Sequence, residues 1–352
     1  MNALNTKPFA PGGLAALARQ LEEGRTTAQA LTEQAVAQAA ALEPRLQAFT
    51  YLATERAAAH ARALDALRAS GVRLGPLMGL PIAIKDLFTV DGMPTTAGTR
   101  MDIQDLVPPQ GPFVGRLLSA GCVPLGKTRT TEFALGGFNL GSPPPWNPCD
   151  ALEPRMTGGS SHGSAVAQAA GLAAFTVGSD TGGSVRWPAA LCGVVGYKTS
   201  PGHWPLEGVF PLSPEMDSPG IFTRSADDAA FVEAALAGRV LADPPPVDAL
   251  RLAVPADHFM AHLEPPVATC FEAALSRLSA AGARLVELPV PEASWIDEVF
   301  GQLVPADLLA HLGRERVDKG WDLLDPVAAA RLSGALRTSA DTYLVLLSRR
   351  RE

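Results

Sequence analysis

Met156-Thr-Gly-Gly-Ser-Ser-His-Gly-Ser164 and, a short way on, Gly178-Ser-Asp-Thr-Gly-Gly-Ser-Val-Arg186 decide how this chain reads. Gly-Gly-Ser recurs after 24 positions, and the spacer predicts a small-residue helix over 164–172 and a strand over 173–177. Consecutive glycines let a backbone turn sharply, with its N–H groups facing a bound oxygen and no Cβ in the way. A serine closing such a turn presents its hydroxyl beside a ready-made oxyanion site, the arrangement acyl transfer needs. Each turn lies tightly between apolar runs, which favours an ordered turn over a flexible linker.

The same texture extends outward. Between residues 75 and 223 glycine, serine, threonine and proline are dense, and the short apolar run 80–84 reads as a buried strand. Residues 113–120 read as a helix closed by Gly121, and 122–125 as a strand. Strand–helix alternation of this kind predicts an α/β fold with a parallel or mixed sheet. Upstream, 13–42 is helical in pattern. Leu14, Leu17 and Leu21 share a face, and Thr27 is an N-cap for a second helix through Val36. A third helix is expected over 54–70. Downstream, the Pro-rich run at 243–247 reads as a connector. It leads to a β-α-β unit (strand 250–255, helix 266–281, strand 283–290) and a helical tail over 294–351. The expected organisation is one domain over 1–352: a helical part at 1–74, a core at 75–235, and an α/β and helical part at 250–352.

Composition narrows the function. Of 352 residues, 47% are hydrophobic and 18% charged, which provides a large core and excludes a disordered chain. A net charge of −7 without a basic stripe argues against nucleic acid or an anionic membrane as partner. No apolar run reaches the roughly 18 residues that span a bilayer, and residues 1–10 lack the pattern of a signal peptide. Cys122, Cys149, Cys192 and Cys270 form neither a disulfide framework nor a zinc pattern and suit a reducing cytoplasm.

Two motif matches fail on context. Gly121-Cys-Val-Pro-Leu-Gly-Lys127-Thr128 satisfies the phosphate-loop pattern, but the order here is helix, glycine, strand, where phosphate binding needs strand, loop, helix. His258 and His262 are four apart, but the intervening Phe-Met-Ala supplies no glutamate, so no metal site is expected. A serine nucleophile still needs a base, and two residues qualify. His162 lies inside the first turn. Lys85 ends the aliphatic strand Leu80-Pro-Ile-Ala-Ile-Lys85, where burial lowers a lysine pKa toward a useful range. The chain has only five lysines, and arginine, unlike lysine, cannot deprotonate.

Taken together, several phrases resemble the amidase signature family of serine hydrolases. They are Gly-Leu-Pro-Ile-Ala-Ile-Lys85-Asp, Gly126-Lys-Thr, Thr131-Glu-Phe-Ala-Leu-Gly136, Trp146-Asn-Pro, the two Gly-Gly-Ser turns, Cys192-Gly-Val-Val-Gly-Tyr-Lys198 and Met216-Asp-Ser-Pro-Gly-Ile-Phe-Thr-Arg224-Ser. The resemblance implies a central mixed sheet flanked by helices and an amide hydrolase without a cofactor. It makes Ser184 the nucleophile, Ser160 (on a cis peptide after Gly159) the bridge, and neutral Lys85 the base. By the same resemblance the N–H groups of Thr181, Gly182, Gly183 and Ser184 hold the oxyanion, and Ser161, Asp180 and Arg186 support the site. Ala134 lies on the substrate side. The substrate class implied is a small-molecule amide.

His162 departs from the family, which has Gly or Ser there. The phrase Thr342-Tyr-Leu-Val-Leu-Leu-Ser-Arg349 resembles the penultimate helix, after which most members add a strand. A truncated sheet and a homo-oligomer covering the apolar stretch Leu344, Val345, Leu346 and Leu347 are therefore expected. Two alternatives stay open: the amidase component of a glutamine-dependent tRNA amidotransferase, and an inactive paralogue with a binding role.

Overall fold

A computed structural model describes residues 3–4, 6–240, 242–256 and 258–351. Its contacts divide the chain into two compact units, one of residues 1–240 and 304–338, the other of 241–303 and 339–352. The part expected at 250–352 is thus shared between them.

In the first unit the chain runs α1 (Leu14–Glu22), α2 (Ala28–Leu46), β1 (Phe49–Leu52), α3 (Thr54–Ala69), β2 (Pro81–Lys85), α4 (Pro112–Ser119) and β3 (Val123–Thr128). It continues with α5 (His162–Ala169), β4 (Phe175–Asp180), α6 (Arg186–Cys192), β5 (Val195–Lys198), β6 (Ser218–Thr223) and α7 (Ala226–Ala237). The six strands form one mixed sheet in the order β1-β3-β2-β4-β6-β5. The central β3-β2-β4 trio is parallel, whereas β1, β6 and β5 pair antiparallel to their neighbours. Every residue of β2, β3, β4 and β6 is buried, as expected for strands covered on both faces.

Local chemistry explains several boundaries. The Thr27 hydroxyl accepts the Ala30 N–H, so α2 starts where its cap predicts, but it runs on through Pro44 to Leu46 instead of stopping near Val36. Strand β3 extends past Leu125 through Gly126, Lys127 and Thr128. Gly126 allows this close approach, since a Cβ there would lie 2.0 Å from the Tyr51 carbonyl oxygen on β1. The phosphate-loop match is therefore a strand, and its Lys127 is fully buried against Asp86 at 2.8 Å.

The second unit contains β7 (Arg251–Pro255), α8 (Pro265–Ala280) and β8 (Arg284–Leu288), and its two strands pair in parallel as the β-α-β reading predicts. Helix α9 (Ile296–Leu312) is followed by α10 (Arg314–Lys319), α11 (Pro326–Ala335) and α12 (Ala340–Arg351). In α12 Leu344 and Val345 are exposed and Leu346 is buried. No helix among the described residues is long and apolar enough to cross a membrane.

Candidate active site

The parallel strands β2 and β4 end side by side, with Ile84 paired to Val177. The next residues, Lys85 and the Gly178–Asp180 end of β4, are thereby brought together. Lys85 is completely buried, and its Nζ donates to Ser160 Oγ at 2.7 Å and to Ser179 Oγ at 2.9 Å, with the Ser179 carbonyl oxygen at 3.4 Å. Burial drives its pKa down from the usual 10.5 to about 7, against the opposing pull of the Asp217 and Asp180 charges. Near neutrality this lysine is therefore poised to exist without its proton.

Ser160 follows a cis Gly159–Ser160 peptide bond. A Cβ on Gly159 would lie 2.5 Å from the Gly137 carbonyl oxygen, so only glycine fits this approach of two loops. The Ser160 carbonyl accepts the Thr131 N–H at 3.1 Å, which ties the turn to the loop carrying Ala134. Ala134 itself is buried and left-handed, with φ 60°.

Ser161 joins the two turns. Its N–H donates to the Ser184 carbonyl at 3.2 Å, its hydroxyl donates to the Ser179 carbonyl at 3.1 Å, and it accepts the Ser179 N–H at 3.3 Å. Ser184 is half-buried at the end of the second turn, next to Val185 at the start of α6. The structure thus brings Lys85 and Ser160 into direct contact and holds Ser184 beside them through Ser161.

Asp180 shapes the second Gly-Gly-Ser turn. Its carboxylate accepts the N–H groups of Gly183 (2.8 Å), Val185 (3.0 Å) and Arg186 (3.3 Å), and the Arg186 side chain closes on it at 2.9 and 3.1 Å. Burial opposes ionisation, but the Arg186 guanidinium and these N–H groups outweigh it and hold the carboxyl below its usual range. The Gly183 N–H, one of the four expected to face an oxyanion, is engaged by Asp180.

His162 opens α5, is buried, and neither ring nitrogen has a hydrogen-bond partner within bonding geometry. Burial, reinforced by the charges of Arg129 and Lys85, pushes its pKa down to about 3, so the ring stays neutral. Ser179 and Asp217 were not among the expected site residues. Asp217 accepts the Thr181 hydroxyl at 2.5 Å. Both residues stand inside the quoted phrases, but only the pairing of β4 with β2 and β6 gives them a role. Among the described residues no group of three or more His, Cys, Asp or Glu side chains could hold a metal, and the rings of His258 and His262 are exposed.

A family model described as Amidase matches residues 30–344. The chain is 39% identical over 339 residues to the 2-amino-5-chloromuconic acid deaminase of Comamonas testosteroni, covering 94% of this chain and 73% of that one. It is 37% identical to a glutamyl-tRNA(Gln) amidotransferase subunit from Chloroflexus aurantiacus, covering 84% of this chain. It spans 63% of that relative's length, less than two thirds. A solved structure described as an amidase superposes with a TM-score of 0.88 at 37% identity, over 96% of this chain and 77% of that one.

Proposed function

The chain belongs to the amidase family, and from that premise we propose that it cleaves a small carboxylic amide through an acyl-enzyme, with Ser184 as nucleophile, Ser160 as bridge and Lys85 as base. The observation that carries this reading is the 2.7 Å contact between a fully buried Lys85 and Ser160. A buried amine lowered to about 7 accepts a proton at neutral pH, which an exposed lysine does not. As the Ser184 oxygen bonds to the amide carbon, its proton passes to Ser160 and that of Ser160 to Lys85. The N–H groups of Thr181, Gly182 and Ser184 supply the donors for the oxyanion, that of Gly183 being held by Asp180. The C–N bond then breaks as Lys85 returns its proton through Ser160 to the leaving nitrogen. Water, activated by the same relay, releases the acid.

A second reading is favoured by the 37% identity to a component of a tRNA amidotransferase. In it the same chemistry liberates ammonia from an amide for a protein partner. Turnover of a panel of simple amides by the isolated chain tests the first reading. Ser184→Ala should lose on the order of 10^4-fold or more in turnover. Unchanged turnover in that variant would refute the assignment.

A further inference from the structure

Asp217 lies just before β6, in register with the end of β4. Asp180 pairs with Ser218, which sets Asp217 beside Thr181. Its carboxylate accepts the Thr181 hydroxyl at 2.5 Å with one oxygen and the N–H groups of Leu212 (2.9 Å) and Ser213 (3.0 Å) with the other. The Ser213 hydroxyl in turn donates to Asp307 on α9 at 2.5 Å. Burial pushes the Asp217 carboxyl above its usual range, while these three donors and the charge of Lys85 pull against that and favour the ionised form. We propose that Asp217 is a positioning residue for the reaction: set opposite Thr181 by the β4–β6 register, it grips the first residue of the nucleophile turn, and its carboxylate faces the Lys85 end of the sheet. The proposal rests on the Ser184–Ser160–Lys85 reading.

Other charges bear on Lys85 as well. On β4 there is Asp180, already neutralised by Arg186. On α5 there is the neutral ring of His162, with Arg129 beyond it. Beside Lys85 on β2 and β3 lies the closed Asp86–Lys127 pair. Asp217 is the carboxylate among them with no cationic side chain paired to it, and its charge acts on Lys85 more strongly than that of Asp180. On its other side Asp217 borders a cavity of about 710 Å³ lined also by Arg116, His203 and Glu207.

The rate of fluorophosphonate labelling of Ser184, followed from pH 5 to 10, tests this without knowledge of the natural amide. Asp217→Asn keeps every contact, since the amide oxygen can accept the two backbone N–H groups while its NH2 donates to Thr181. Only the charge is lost. The limb on which labelling rises should move to lower pH by about one unit. Thr181→Val removes only the grip, so the plateau should fall about tenfold or more while the limb stays in place. Limbs that coincide in Asp217→Asn and wild type overturn the charge role, and an unchanged plateau in Thr181→Val overturns the grip. Lys85→Ala is the control. A limb that persists in it refutes the lysine base itself, not the role of Asp217.

Discussion

Lys85 is surrounded by hydroxyls, a carbonyl and apolar strand residues, with the carboxylates of Asp217 and Asp180 acting from farther away. A lysine so placed works only when neutral. Lys85→Arg should therefore be as damaging as Lys85→Ala, because guanidinium keeps its proton and its planar fork does not fit a single hydroxyl. Steady-state assays of both variants check this, and an active arginine variant would contradict the base role. This residue was legible in the sequence because a lysine closing an aliphatic strand is unusual in so arginine-rich a chain. The choice between Lys85 and His162 was not. Both lie near the first turn, and their contacts differ: Lys85 Nζ donates to Ser160 Oγ, whereas neither His162 ring nitrogen has a hydrogen-bond partner within bonding geometry.

Among the elements, β3 carries the most instructive misdirection. The run from Gly121 to Thr128 matches a phosphate loop letter for letter, yet Lys127 Nζ is spent on Asp86, Thr95 Oγ1 (2.8 Å) and the Pro94 carbonyl (3.0 Å). Millimolar ATP should therefore leave the thermal midpoint unchanged in a melting scan. Removing one partner of this buried pair strands the other charge, so Lys127→Ala should cost about 3–5 kcal/mol in chemical denaturation. Helices α1 to α5 and α8, the helical tail and the central strands were legible from apolar runs and glycine stops, whereas α6 and α7 were not. Strands β1, β5 and β6 were not. Phe49–Leu52 is four residues long, Val195–Lys198 is only half-buried, and Ser218–Thr223 carries a proline and a glycine that read as loop. The link from Glu132 to Asp325 was equally invisible. The Glu132 carboxylate accepts the Asp325 N–H at 2.6 Å across 193 residues, and no local pattern encodes such a contact.

For the whole molecule, two buried bases held neutral set the pH dependence of stability. His162 has a pKa of about 3 in the folded chain against 6.5 when free, so the unfolded chain binds the extra proton between those values. Stability contributed by its neutral burial is present above about pH 6.5 and is lost as the pH falls toward 3. Lys85 behaves alike in a higher window. Below about pH 7 the fold must bury a charged lysine, and this burden lifts as the pH rises from 7 toward 10.5. Melting temperatures of wild type and His162→Gly across pH 4 to 7 should show the shallower slope in the variant. The Lys85→Met variant should lose its stability advantage over wild type between pH 7 and 10. Parallel curves in both comparisons would mean that neither base is held neutral by the fold.

The site's chemistry turns on which serine oxygen attacks. Incubation with a fluorophosphonate, followed by peptide mapping, reads this directly. The adduct should sit on Ser184, vanish in Ser184→Ala, and form far more slowly in Lys85→Ala and Ser160→Ala. An adduct on Ser160 or on a serine outside the two Gly-Gly-Ser turns, or equal labelling in Lys85→Ala, would contradict the Ser184–Ser160–Lys85 relay.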